Sequence, residues 1–208
     1  MPATLWEAEG KMKMLRALIV CLVLIAAAGL AFIYSGMYDV AADVEHTGPI
    51  EWVLSTTQSR SVHRRAEEVS PPAWLAQPDA AVLRTGLVHY HEMCVTCHGA
   101  PGIGLSEIAQ GLNPAPPELS HEAEEPGELF WVTKHGIKMT GMPAFGVTHS
   151  DEEIWAIVAF LQQMPALSKE EYQARLVEAG LVEPPAAPGQ EPAKPQGHTH
   201  APGTEHQH

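Results

Sequence analysis

Two cysteines and a histidine stand close enough together in this sequence to share one site. They form the pentapeptide Cys94-Val95-Thr96-Cys97-His98, in which the imidazole directly follows the second thiol. Three chemistries use such a group: a thiol–disulfide redox pair, half of a zinc site, and covalent attachment of a c-type haem. Features elsewhere in the sequence must show which of the three chemistries applies here.

The composition excludes other classes of partner. The 208 residues carry 12 Lys and Arg against 25 Asp and Glu, which gives a formal net charge of −13. We expect no nucleic-acid partner, because that affinity comes largely from Lys and Arg that neutralise phosphates. A basic patch for anionic lipid is likewise not expected. Three cysteines are too few, and odd in number, for a disulfide scaffold.

Residues 17–38 form an uncharged, apolar stretch of 22 residues, long enough to cross a hydrocarbon layer of about 30 Å. Basic residues precede it (Lys11, Lys13 and Arg16) and acidic residues follow it. The positive-inside rule therefore predicts that residues 1–16 are cytoplasmic and that the chain after residue 38 lies outside. A cleaved signal peptide is the alternative, since Ala26, Ala27 and Ala28 are small, but the apolar run continues beyond them.

This export signal favours haem attachment at the pentapeptide. A thiol redox pair would require a surrounding βαβ pattern, and the sequence around the pentapeptide shows no such pattern. A zinc site would need a second pair of ligands, and the one remaining cysteine, Cys21, lies inside the apolar stretch. Covalent haem attachment takes place outside the cytoplasm, where the pentapeptide is predicted to lie. Its two thiols would then form thioethers, and His98 is placed to supply the proximal iron ligand.

Helical periodicity dominates the exported part, so the predicted fold class is all-α. Two capping boxes mark helix starts, one at Ser150 with Glu153 and one at Ser168 with Glu171. No strand-like alternation stands out, and a loop rich in Gly and Pro covers about 98–126. The predicted helices span about residues 79–94, 126–135, 150–164 and 168–181.

Beyond the pentapeptide, the chain resembles the class I monohaem c-type cytochromes. Gly86 and Tyr90 stand before Cys94 in the family pattern Gly-x-x-x-aromatic-x-x-x-Cys, and Phe160 fits the aromatic residue that packs over the glycine. The family also carries Pro-x-Leu and Met-Pro sequences after the haem motif. These are matched by Pro117-Glu118-Leu119 and Met142-Pro143.

The resemblance covers about residues 79–166 and implies a class I cytochrome c fold around one covalent haem c. In that family the proline carbonyl accepts a hydrogen bond from the proximal histidine, here Pro117 and His98. The family methionine binds the opposite face of the iron, here Met142. The resemblance thus implies Cys94 and Cys97 as attachment residues, with His98 and Met142 as the metal ligands.

The sixth ligand has competitors within the same loop. They are Met139, His135 and His149. Gly141 and Pro143 flank Met142 and stiffen its turn, which favours Met142. Met139 is then expected to fill a gap near the haem edge. The choice matters because His/Met ligation raises the reduction potential, whereas an open position would permit ligand binding or peroxidase chemistry.

Aromatic residues near this loop are expected to wall the haem pocket and exclude water. They are Phe130, Trp131 and Phe145, together with the aliphatic Val132. The Trp131 indole is a candidate partner for a haem propionate. Of these four residues, Trp131 and Phe145 are predicted to be cofactor-binding residues.

We therefore divide the chain into six parts. They are the cytoplasmic N-terminus (1–16), a transmembrane anchor (17–38), a periplasmic connector (39–78), the haem domain (79–166), a C-terminal helix (167–182) and a disordered tail rich in Pro and His (183–208). The connector is interpreted as a spacer with one amphipathic turn near the membrane, or as a docking element for a partner's membrane subunit. Four tail histidines suit weak copper, zinc or nickel binding: His198, His200, His206 and His208.

The expected function is electron transfer without substrate chemistry. We expect a membrane-anchored monohaem cytochrome c, on the periplasmic side of a bacterial cytoplasmic membrane, that carries single electrons between membrane or periplasmic redox proteins. A fixed haem subunit of a larger respiratory or dehydrogenase complex is the first alternative. A haem sensor or peroxidase, which needs a displaceable sixth ligand, is the second.

Overall fold

The computed structural model describes residues 3–121 and 124–184 of the chain. In these ranges the regular structure is helical and contains no strand, which confirms the all-α prediction. The α-helices are α1 (Ala3–Ser35), α2 (Gly48–Ala66), α3 (Ala80–Met93), α4 (Val95–His98), α5 (Glu107–Gln110), α6 (Pro126–His135), α7 (Asp151–Gln163) and α8 (Lys169–Ala179). Short 3-10 helices lie at Ala73–Ala76, Phe145–Val147 and Met164–Ala166.

Local sequence signals set the ends of the main helices. Both capping boxes form, so that α7 begins after Ser150 and α8 after Ser168. Helix α6 has the predicted bounds: Pro126 occupies its first turn, and Gly136 ends it with a φ of +64°. These boundaries need no tertiary information because caps and prolines act within one turn of the backbone.

The crossing of α3 and α7 forms the centre of the helical domain that follows the connector. A Cβ atom at Gly86 would lie 2.0 Å from the carbonyl oxygen of Ala156 and 2.8 Å from Cβ of Phe160, so only glycine permits this approach. The rings of Tyr90 and Phe160 pack next to the crossing, with centroids 5.6 Å apart. Helix α8 closes the same core through the fully buried Tyr172.

Helix α1 includes an apolar stretch, Glu9–Ser35, that by length and composition could cross a membrane. Its 27 residues span about 40 Å at about 1.5 Å per residue, more than the roughly 30 Å of a hydrocarbon core. The helix ends at Ser35, three residues before the predicted end of the anchor at residue 38. Gly36 follows with a φ of +66°. The two predictions for the tail, disorder and metal binding by its histidines, lie outside the described residues from 185 onward.

The connector contains a long helix where one amphipathic turn was expected. Helix α2 has 19 residues and packs against α6. Pro49 stands in its first turn, a position that favours a helix, while the prolines at 71, 72 and 78 lie beyond its end. The buried Ala66 approaches α6 at Gly127, where an added Cβ would lie 3.1 Å from the Ala66 carbonyl oxygen.

Candidate functional site

The pentapeptide folds as one helical turn at the end of α3. The Cys94 carbonyl oxygen accepts hydrogen bonds from the backbone N–H groups of Cys97, at 3.0 Å, and His98, at 2.9 Å. A separation of three and four residues places these side chains on one side of a helical turn. Cys94 is buried, and Cys97 and His98 are half-buried.

A second segment fixes the orientation of the histidine. His98 Nδ1 lies 2.8 Å from the carbonyl oxygen of Pro117, and the Leu119 N–H donates to the His98 carbonyl oxygen at 3.3 Å. Because a carbonyl oxygen only accepts, the proton of the neutral ring lies on Nδ1. Nε2 then carries the lone pair that a metal ion requires.

These residues line a cavity of about 470 Å³, within the range of roughly 300–1,000 Å³ typical of cofactor sites. Its lining is mainly apolar. Residues from α3, α4 and α7 form one part of the wall: Tyr90, Cys94, His98, Ile157 and Leu161. Other parts come from α6, from the loop 112–119 that includes Pro117, and from the loop 137–142 that ends in Met142.

Backbone hydrogen bonds hold the loop that presents Met142. The Ile137 N–H donates to the Met142 carbonyl oxygen at 3.2 Å, and the Met142 N–H donates to Thr140 Oγ1 at 3.1 Å. Gly136 begins the loop, and any Cβ there would lie 2.7 Å from the Met142 carbonyl oxygen. These contacts fix the loop at the end of α6. They therefore also fix the position of Met142 in the cavity lining.

The sequence predicted that Met139 fills a gap near the haem edge, and this prediction was wrong. Its side chain is 98% exposed, and its backbone has a φ of +63°, in the left-handed region. The tight turn between Ile137 and Met142 forces this conformation and directs the side chain to solvent. The two methionines of the loop thus have opposite surroundings.

Four other predicted residues also lie outside the cavity lining. Among the described residues, the lining includes none of Cys97, Phe130, Trp131 and Phe145. The Trp131 ring packs beside His135, with the Arg65 guanidinium 5.9 Å from its centroid, and Phe145 contacts His149. Phe130 stacks on Trp155 in the core, so α6 presents Leu129, Val132 and Thr133 to the cavity instead.

Burial sets the protonation of the groups around the cavity. It raises the pKa of the Cys94 thiol to about 12, with the neighbouring Cys97 adding to the effect. A redox-active thiol pair needs a lowered pKa, so this thiol does not suit thioredoxin-like chemistry. Burial lowers the pKa of His98, with the hydrogen bond to Pro117 opposing it, and leaves a neutral imidazole suited to bind a metal.

The comparison with known families agrees with this geometry. A family model described as cytochrome c oxidase, cbb3-type, subunit III matches residues 81–161. This part of the chain is a c-type cytochrome domain. The match includes the pentapeptide, Pro117 and Met142, and it ends inside α7. A search of curated proteins found no match to the chain.

A c-type cytochrome domain implies covalently bound haem c, and the residues of the cavity fit that group. The apolar lining provides the Cys94 thiol, the His98 imidazole with Nε2 free and the Met142 thioether, and the second thiol, that of Cys97, lies on the same helical turn as Cys94. Within residues 3–121 and 124–184 no three His, Cys, Asp or Glu side chains are grouped to hold a metal ion. The zinc interpretation of the pentapeptide therefore has no further ligands in the described chain.

Sequence reasoning missed one wall of the cytochrome cavity altogether. Helix α2 contributes four lining residues, Ser55, Gln58, Ser59 and Val62. Their spacing of three, one and three residues marks a single helix face. Three of the four are polar, so hydrophobic periodicity gave no signal for them.

Proposed function

We propose that the chain is a membrane-anchored monohaem cytochrome c that carries single electrons between redox partners on the periplasmic side of a bacterial cytoplasmic membrane. One observation carries the proposal. The part of the chain that matches a c-type cytochrome family brings Cys94, His98 and Met142 to the lining of one cavity. The apolar helix α1 supports the anchor, and the positive charges before it support the orientation.

When bound, the haem iron supplies a one-electron couple between its ferrous and ferric states. Cys94 and Cys97 would hold the haem covalently through their sulfur atoms. His98 Nε2 and the Met142 sulfur would bind its iron. No residue of the chain takes part in substrate chemistry.

The surroundings of these ligands favour fast electron transfer. Pro117 holds the His98 ring, and the hydrogen-bonded loop 137–142 holds Met142, so neither ligand has to move when the charge changes. The apolar lining keeps water from the iron, which together with a thioether ligand favours a raised reduction potential. The membrane anchor raises the local concentration of membrane-bound partners.

Carbon monoxide binding tests the carrier against the sensor and peroxidase alternatives. We expect the full-length protein, purified in detergent, to show the pyridine haemochrome spectrum of one c-type haem and a one-electron redox titration. The reduced protein should not bind carbon monoxide rapidly, while the variant Met142→Ala should bind it in a 1:1 ratio. Rapid, stoichiometric binding by the parent protein would refute the carrier function.

A fixed subunit of a larger oxidoreductase complex is the second candidate. The description of the matching family, an oxidase subunit, favours it. Gentle solubilisation of the membranes followed by native electrophoresis and haem staining separates the two. A mobile carrier migrates near its own mass of 22.5 kDa plus detergent, whereas a subunit migrates with a large complex.

A further inference from the structure

Helix α2 lies outside the matched cytochrome domain, yet one of its faces lines the haem cavity. That face consists of Ser55, Gln58, Ser59 and Val62. Val62 is buried, whereas the three polar residues precede it along the helix and are exposed. The face therefore combines an apolar anchor with side chains that form hydrogen bonds.

Specific contacts hold α2 on the domain. His63 Nδ1 lies 2.9 Å from Glu128 Oε1 of α6, and the Asn113 side-chain amide donates to the Val44 carbonyl oxygen before α2 at 3.3 Å. The close approach of Ala66 to Gly127 fixes the other end. Contacts at both ends mean that the polar face keeps its position over the cavity.

In the part of the chain that the structure describes, the cavity lining offers no positively charged side chain to the haem carboxylates, so neutral hydrogen-bond donors become important. A haem carries two carboxylates, yet among the described residues the lining contains no lysine or arginine and includes the carboxylates of Glu124 and Glu128. Lys134, on α6, pairs with Asp151 at 2.6 Å instead. Neutral hydrogen-bond donors must therefore meet the haem carboxylates if any side chain of the lining does.

Gln58 and Ser59 are donors with spare capacity. Neither side chain has a hydrogen-bond partner within the described residues, although both line the cavity. By contrast, Thr140 Oγ1 already donates to the Ile137 carbonyl oxygen at 2.8 Å, and Ser55 Oγ is 3.4 Å from the Trp52 carbonyl oxygen. The amide of Gln58 and the hydroxyl of Ser59 thus remain available to a ligand.

We propose that Gln58 and Ser59 of α2 donate hydrogen bonds to the haem carboxylates, so that the haem site extends beyond the cytochrome domain into the connector. The proposal rests on the proposed haem function. Both residues are positioning residues, because they act on the iron through the haem periphery. Their donors draw negative charge away from the carboxylates, which disfavours the ferric state relative to the ferrous state.

The test compares variants of the full-length protein in detergent. In Gln58→Leu/Ser59→Ala the carboxylates lose both donors, and we expect a lower reduction potential and a shift of the propionate bending band in resonance Raman spectra. Ser61→Ala removes the same hydroxyl from the same helix outside the cavity lining, and it should leave both readouts unchanged. Ser59→Thr keeps a hydroxyl and, combined with Gln58, should keep the parent values.

A double variant with the parent potential and the parent propionate band would overturn the proposal, because the carboxylates would then be met by water alone. The single variants Gln58→Leu and Ser59→Ala are measured in the same way. Each removes only one donor, so each should shift the potential and the propionate band less than the double variant does. The c-type haemochrome spectrum and the absence of carbon monoxide binding are recorded on every sample. If these stay intact while the potential does not move, the carrier function stands and only the role of α2 fails.

Discussion

Met142 and Met139 lie three residues apart in one loop, yet the fold gives their side chains opposite surroundings. Met142 lines the same cavity as Cys94 and His98, and Met139 is exposed on a left-handed backbone. In an isolated loop either thioether could serve as an iron ligand. The hydrogen bonds between Ile137, Thr140 and Met142 hold the loop in the conformation that separates the two side chains, which supports Met142 as the proposed ligand.

We therefore expect Met142→Ala and Met139→Ala to differ sharply. Met142→Ala should abolish the far-red charge-transfer band of methionine-bound ferric haem. It should also lower the reduction potential by on the order of 0.1 V, within the roughly 0.8 V over which axial ligands act. Spectroelectrochemistry measures both. Met139→Ala serves as the matched control, and loss of the band in that variant instead would assign the wrong methionine.

At the scale of elements, the crossing of α3 and α7 depends on one missing side chain. Gly86 lets the α3 backbone approach the Ala156 carbonyl oxygen, and the rest of the core is built around this contact. The crossing also carries Tyr90 and Ile157, which both line the cavity. Separation of the two helices would therefore disturb the site as well as the core.

Gly86→Ala should destabilise the domain by about 3 kcal/mol, the upper end of the usual cost of overpacking, because the added Cβ would meet the rigid backbone of Ala156. Urea unfolding followed by far-UV circular dichroism measures the change. Gly104→Ala is the control, since nothing lies within 4 Å of a Cβ at that position. Equal unfolding midpoints for both variants would contradict the close crossing.

The capping boxes make the stability of α7 and α8 dependent on pH. Hydrogen bonds from the backbone and side chain of Ser150 lower the pKa of Glu153, and those of Ser168 lower the pKa of Glu171. A carboxyl group whose pKa is lower in the folded state stabilises the fold above its unfolded pKa. That contribution is lost as the pH falls below about 4.5 through the folded value.

We expect the urea midpoint of the parent protein to fall on acidification from pH 6 to pH 3 more steeply than that of Glu153→Gln/Glu171→Gln. Glutamine keeps an acceptor for the capping box but does not titrate in this range. Glu152→Gln, in the first turn of α7 but outside the capping box, should follow the parent profile. Parallel profiles for the double variant and the parent would show that the boxes do not couple to pH.

At the scale of the whole molecule, the chain joins an apolar helix to a haem domain through residues 36–47 and α2. The acidic excess follows the apolar helix, so the part of the chain after this helix is negatively charged and suits partners that are not strongly acidic at the contact. Helix α2 rests on the haem domain, which leaves residues 36–47 as the segment between the anchor and the domain.

A protease site inserted between Val40 and Asp43 tests this arrangement in the full-length protein. Protease added to spheroplasts, outside the cytoplasmic membrane, should release a soluble fragment that carries all of the covalent haem. Haem staining of the membrane and soluble fractions measures the release, with the parent protein as the control. Haem that stays on the membrane after complete cleavage would indicate a second attachment to the membrane. Failure of the added protease to cleave the site would contradict the predicted orientation.

Features that depend on a few neighbouring residues could be predicted from the sequence alone. The pentapeptide of Cys94 and His98, the capping boxes at Ser150 and Ser168 and the ends of α6 were all predictable, because each acts within about one helical turn. The long apolar run of α1 belongs with them, since length and composition suffice to recognise it. The resemblance added the close crossing at Gly86.

Which side chains meet at the cavity depends on the packing of segments that are distant in the sequence. Trp131 and Val132 are neighbours on α6, and their types alone favoured both as wall residues, but the rotation of α6 against α2 and α7 presents Val132 to the cavity and Trp131 to Arg65. Helix α2 shows the same point, because its exposed polar residues Gln58 and Ser59 resemble an ordinary solvated surface in the sequence and yet line the cavity. Local spacing fixes a helix, whereas the packing of distant segments fixes the direction in which that helix faces.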